Sequence, residues 1–198
     1  MTRWNNFYKI DPRTRSAQPT FCSELAAERF KMAGAREILD LACGMGRDTS
    51  VFAKKRFNAT GTDLALTALE QAKMLSVRKK HSASFVRADA RNLPFTDNSF
   101  DGVYCFGLLH EFTNKNARMD VDKIMKETMR VMRPKGILLL AVLAGNPDDG
   151  MPHVRLFNEN MFDEAVKNFQ HLDKRLCSDI GCTGNNDYRI WQGIYTKS

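Results

Sequence analysis

The sequence predicts a doubly wound α/β fold, and three observations predict it. Short apolar segments alternate with amphipathic helical segments through the middle of the chain, a glycine-bearing turn follows the first apolar segment, and two extended runs near the C-terminus flank a polar turn. Strands that alternate with helices pair in parallel through right-handed crossovers, which puts helices on both faces of the sheet. With 198 residues and 43% hydrophobic content, the chain can bury a full core without disulfides or metal.

The strand candidates are residues 37–41, 58–63, 84–88, 102–106 and 137–143. Between the second and third, Thr67-Ala-Leu-Glu70 reads as a capping box, and Ala65, Ala68, Leu69, Ala72 and Leu75 share one helix face. Val121, Ile124, Met125, Thr128 and Met132 do the same before the fifth strand, in a helix expected to end at Arg133 because Pro134 follows. The runs 171–180 and 188–197, joined by the turn 181–187, read as a hairpin that closes the sheet with an antiparallel strand. Residues 145–158 are polar and rich in glycine and proline, too much so for a core element, and long enough for a lid.

The segment I-L-D-L-A-C-G-M-G-R-D-T at 38–49 is the most informative. A strand delivers Asp40 to a turn that is open at Ala42, Gly44 and Gly46, and a polar run from Arg47 starts a helix. Glycine allows close backbone approach and positive φ, and the helix start offers unpaired N–H groups. Asp63 ends the next strand about 20 residues on, where a carboxylate can take both hydroxyls of a ribose. A dinucleotide fingerprint needs its third glycine at position 49, which is Thr49, and this disfavours an NAD-dependent oxidoreductase.

The acid at 40 with small residues at 42, 44 and 46 resembles motif I of the class I S-adenosylmethionine-dependent methyltransferases, with Ala42 in place of the first glycine. Later segments resemble the family in order: S-F-V-R-A-D-A-R-N-L-P-F-T-D at 84–97, F-D-G-V-Y-C-F-G-L-L-H-E-F at 100–112, and R-V-M-R-P-K-G-I-L-L-L-A-V at 130–142, where Lys135 replaces a glycine. The resemblance implies a seven-stranded sheet and S-adenosyl-L-methionine as cofactor. It implies cofactor contacts from Asp40, Ala42, Gly44, Gly46, Arg47, Asp63, Leu64, Asp89, Ala90 and Phe106, with Asp89 taking the adenine amino group. Asp40 suits the cofactor ammonium through water or the loop backbone, and is equally readable as an acid capping the turn. One domain over 1–198 is expected, with an N-terminal helical cap (1–35), a cofactor-binding core (36–143) and an acceptor-side loop, helix and hairpin (144–198).

The expected activity is methyl transfer to a small-molecule acceptor by in-line displacement, where positioning dominates. A non-catalytic cofactor-binding protein and a methyltransferase acting on RNA or protein are the alternatives. If the acceptor must lose a proton, His110, with Glu111 beside it, is the candidate general base, and a loop-capping role is the competing reading. Cys105-Phe106-Gly107-Leu108 stands where amino methyltransferases of adenine and glutamine carry N-P-P-Y or D-P-P-Y, which disfavours that chemistry. Trp4 and Tyr8, and His153 and Arg155 in the lid candidate, are the acceptor-side candidates. That loop and the hairpin loosely resemble small thiol and chalcogen methyltransferases of the tellurite-resistance type. Gly181 and Cys182 stand where that group has His-Arg, and Arg189 is available for a later arginine.

The formal net charge of +7 is dispersed. Its clusters, Lys54-Lys55-Arg56 and Arg78-Lys79-Lys80, fall at expected helix ends and carry no interleaved aromatics, so a nucleic-acid partner is disfavoured. Five cysteines at 22, 43, 105, 177 and 182 form no C-x-x-C pair or Cys/His cluster. They read as reduced thiols in a cytoplasmic protein without a metal site. The N-terminus lacks an apolar signal region, and no apolar run is long enough to span a membrane.

Overall fold

The computed structural model describes residues 3–10, 18–149, 154–178 and 189–198. Helices α1 (Arg3–Ile10) and α2 (Phe21–Met32) precede an alternating series: β1 (Glu37–Leu41), α3 (Arg47–Lys54), β2 (Asn58–Asp63), α4 (Leu66–Arg78) and β3 (Ser84–Arg87). Next come β4 (Phe100–Phe106), α5 (Ala117–Val131), β5 (Met132–Ala144), α6 (Glu159–Val166), β6 (Gln170–Ser178) and β7 (Arg189–Thr196). The seven strands run in the order β3-β2-β1-β4-β5-β7-β6. All pairs are parallel except β5 with β7 and β7 with β6, so the sheet closes on antiparallel strands as the sequence predicts.

Apolar strand residues are buried on both faces because helices cover both. Leu39, Leu41, Val103, Leu138 and Leu140 pack under α5 and α6, while Ile38, Tyr104, Leu139 and Ala141 pack on the side of α2 and α3. Strand order reverses between β1 and β4, and the crevice beyond the carboxyl ends there is where an open α/β sheet takes a ligand. Among the described residues, no helix is long and apolar enough to cross a membrane.

Three expectations are corrected. The capping box at Thr67 does not form: α4 starts at Leu66, its N-cap is Ala65 without a side-chain cap, and Thr67 Oγ1 donates to the Asn5 carbonyl (3.2 Å). Helix α5 ends at Val131 instead of Arg133, and Met132 already pairs with Phe100 in β5. The backbone N–H groups of Asn98 and Ser99 take the carbonyls of Arg130 (3.0 Å) and Val131 (2.8 Å), satisfying the helix end from outside the local sequence. The loop 145–158 is not wholly a surface lid. Phe157 lies in the core at 3% exposure, and its N–H donates to Leu143 O (2.9 Å) while its carbonyl accepts from Gly145 (3.0 Å). The turn 181–187, together with His153 and Cys182, lies outside the described residues.

Candidate functional site

The loop between β1 and α3 is built from left-handed residues: Ala42 (φ 62°), Gly44 (φ 53°) and Gly46 (φ 69°). Asp63, at the end of β2, fastens this loop from the side. Its Oδ2 accepts from Gly44 N–H (2.9 Å) and its Oδ1 from Ala65 N–H (2.8 Å), while burial raises its pKa. Two backbone N–H groups thus aim one carboxylate at the crevice mouth, and its remaining lone pairs suit the adjacent hydroxyls of a ribose.

Two more acids work beneath the loop. Asp40 is 3% exposed and accepts from Thr49 Oγ1 (2.5 Å), which ties the end of β1 to the first turn of the helix it feeds. Burial, with the negative charge of Asp48 adding, pushes its pKa up to about 8. Asp40 therefore braces the loop from inside. Asp48 accepts from Thr20 N–H (2.7 Å) and Thr20 Oγ1 (3.1 Å), and Thr20 Oγ1 also meets Tyr104 Oη (2.5 Å). This buried network binds the starts of α2 and α3 to β4, and nothing local in the sequence announces it.

Beyond β3, both oxygens of Asp89 are held by Arg91, with Nη2 at 2.6 Å from Oδ2 and Nε at 3.0 Å from Oδ1. The same guanidinium reaches Asp120 at the start of α5 (3.1 Å) and stands 6.0 Å from the Phe112 ring. The sequence reading missed Arg91 as the partner of Asp89, although an opposite charge two residues from that acid was a readable signal. Leu64, at 36% exposure, Ala90, packed against the core, and Phe106, stacked on Tyr104, supply the apolar lining. An adenosyl group with an amino-acid tail fits these residues: a carboxylate for the ribose, an acid with an apolar neighbour for the base, and a loop whose Gly44 has no side chain and faces the Tyr8 hydroxyl.

His110 lies just beyond β4, in a 3₁₀ turn at Leu109–Glu111. Its Nδ1 accepts from Leu143 N–H (3.2 Å), so the neutral ring carries its proton on Nε2, which faces Glu111 Oε1 at 3.7 Å. Burial lowers its pKa to about 4. An imidazole whose free nitrogen already holds a proton does not take another near neutrality, so the geometry makes His110 a brace between the turn after β4 and strand β5 and disfavours it as a base. Its carbonyl also accepts from Arg155 N–H (2.7 Å), bringing Arg155 beside the crevice.

Helix α1 crosses the crevice from the other side. Gln71 Nε2 donates to the Tyr8 carbonyl (3.0 Å), and the Trp4 and Phe7 rings pack edge to face 5.4 Å apart. A Cβ built on Gly44 would stand 2.5 Å from Tyr8 Oη, so Tyr8 meets the glycine loop directly. Burial, and the negative charge of Asp63, raise the pKa of its phenol. Trp4 is carried by the same helix, its ring against those of Phe7 and Tyr8.

A family profile described as "Methyltransferase domain" matches residues 39–140, more than half the chain. GfsG, a methyltransferase of Streptomyces halstedii, is 30% identical over 74% of this chain and 51% of its own length. Demethylmenaquinone methyltransferase of Paenarthrobacter aurescens is 34% identical over 54% of this chain and 38% of its own. The chain thus spans about half, or less, of the length of these curated relatives. In fold, it is similar to the 1,6-didemethyltoxoflavin-N1-methyltransferase of Burkholderia thailandensis, solved with S-adenosylhomocysteine (TM-score 0.69, 18% identity, 98% of this chain and 81% of that one).

Proposed function

This chain belongs to the methyltransferase-domain family, in the class I S-adenosylmethionine-dependent fold, and on that premise we propose that it methylates a small-molecule acceptor by in-line displacement. The observation that carries the reading is the carboxylate of Asp63, aimed by the N–H groups of Gly44 and Ala65 beside a loop with no side chain at Gly44. Bound S-adenosylmethionine supplies a methyl group made electrophilic by its sulfonium. The residues proposed to hold it are Ala42, Gly44, Gly46 and Arg47 along the loop, Asp63 and Leu64 at the ribose, and Asp89, Ala90 and Phe106 around the base. Asp40 acts from beneath.

The chain's own contribution is then orientation. Arg91 fixes the carboxylate of Asp89, the β1–α3 loop is preformed, and the His110 brace holds the β4 loop against β5. Acceptor contacts are assigned to Arg155 and Trp4, with His153 retained as a candidate from the sequence. The dispersed positive charge favours a small acidic compound over a nucleic acid, and a cytoplasmic site of action is part of the same proposal.

The test is S-adenosylhomocysteine release across an acceptor panel of thiols and chalcogen compounds, carboxylic acids, amines and RNA. Turnover with one small-molecule class supports the reading. Turnover with RNA alone overturns the acceptor class, and cofactor binding without turnover on any acceptor favours a sensing or assembly role.

A further inference from the structure

We propose that Tyr8 is a cofactor-binding residue: its hydroxyl, together with Arg47, receives the carboxylate of the amino-acid end of S-adenosylmethionine, making helix α1 the cover of the cofactor site. The inference rests on the cofactor reading above and gives Tyr8 a different place from the acceptor wall suggested by the sequence.

The first support is position. Asp63 marks the ribose at β2 and Asp89 the base beyond β3, so the rest of the cofactor runs the other way, over the carboxyl end of β1 toward β4. Gly44 lies on that line, held to Asp63 by its N–H. The atom facing its Cα is Tyr8 Oη, which a methyl group at position 44 would press to 2.5 Å. The room left by this glycine is room shared with the Tyr8 hydroxyl.

The second support is chemistry. Tyr8 Oη makes no hydrogen bond to any described residue, although its ring is largely enclosed by the crevice, so its donor is unspent. Arg47, the first residue of α3, lies within electrostatic reach of that hydroxyl, and α3 points its N-terminal N–H groups to the same side. A phenol O–H, a guanidinium and a helix start together suit an anionic oxygen group. Glu111, also within electrostatic reach of Tyr8, suits the ammonium on the same carbon.

The third support is how α1 is anchored. Thr67 Oγ1 donates to the carbonyl of the buried Asn5, and Gln71 Nε2 to that of Tyr8, so both ties go to α4 and neither goes to the glycine loop. The Tyr8 side chain is what α1 brings to Gly44, and the aromatic packing of Trp4 and Phe7 on Tyr8 holds that ring in place.

The experiment is titration calorimetry of the wild type, Tyr8→Phe and Arg47→Met with three probes: S-adenosylmethionine, decarboxylated S-adenosylmethionine, which keeps the sulfonium and ammonium, and methylthioadenosine, which lacks the whole amino-acid end. Tyr8→Phe preserves the ring and its packing. It should weaken S-adenosylmethionine about tenfold, as loss of a hydrogen bond to a charged group does, and leave the other two probes within about twofold. Arg47→Met should show the same selectivity. Equal weakening of all three probes by Tyr8→Phe overturns the proposal, since that is what a merely structural cover produces, and so does no weakening at all. If the wild type binds none of the three, the cofactor reading itself has failed, and the two failures are thereby distinct.

Discussion

Replacing Asp63 by Asn tests the cradle most directly, because the change keeps the side chain's shape and alters only its hydrogen bonding. The carboxylate accepts from two backbone N–H groups, Gly44 through Oδ2 and Ala65 through Oδ1. An amide has one acceptor oxygen, so whichever way it turns, its NH2 group faces one of those donors. One charge-assisted hydrogen bond is lost and a partly buried N–H is left opposed, a cost of about 2 kcal/mol that is partly offset because a charge is no longer buried. For a chain of this size the full cost corresponds to a fall in Tm of roughly 4–8 °C, and a smaller fall is expected. S-adenosylhomocysteine affinity should fall by at least about tenfold as well, because the ribose hydroxyls need the second acceptor. Affinity in the wild type should also depend on pH. Burial raises the pKa of Asp63, so the contribution of this group to folding stability is full below its unfolded value and lost as pH rises through the folded one. Cofactor affinity should rise over the same interval as the carboxylate ionises. Differential scanning fluorimetry and calorimetry on the same preparation check both. A Tm within about 1 °C of the wild type would refute the reasoning about the loop, and a lowered Tm with unchanged affinity would refute the ribose assignment.

Three further outcomes are expected. Ala42 sits at φ 62°, so Ala42→Gly should raise stability by about 0.5–1 kcal/mol in urea denaturation, relief of left-handed strain outweighing the added freedom of the unfolded chain. In His110→Asn, whose amide oxygen can still accept from Leu143 N–H, the wild-type loss of stability as pH falls from 6.5 toward about 4 should disappear; that loss is about 3 kcal/mol, and the pH profile of turnover near neutrality should not move. Asp40→Asn has the opposite sign: the wild type loses stability as pH rises from the ordinary carboxylate range toward about 8, and the variant, keeping an acceptor for Thr49, should melt higher than the wild type at pH 8.

Where local residues set the structure, it was legible in the sequence. The bounds of β1 and β2 were read correctly because Asp40 and Asp63 mark their carboxyl ends next to glycine turns. Lys135, read as standing in a glycine position, has φ 63°. What escaped was set by distant partners. The start of β5 depends on Asn98 and Ser99 taking the last carbonyls of α5, and the start of α4 on Asn5, 62 residues before Thr67. Phe157 stood in a segment read as too polar for a core element and is in fact a core side chain. The role of His110 turned on one backbone N–H from β5, which no spacing reveals, whereas the grip of Arg91 on Asp89 was local enough to have been found.

The buried contact among Thr20, Asp48 and Tyr104 has a thermodynamic consequence. Because Asp48 stands in the first turn of α3 and its partners belong to α2 and β4, the orientation of that helix is set before any ligand arrives. With Asp40 fixing the next residue, Thr49, the loop has little conformational entropy left to lose. Cofactor capture therefore resembles a key entering a cut lock, and damage to the start of α2, far from any ligand atom, should register first as weaker binding through a loosened loop.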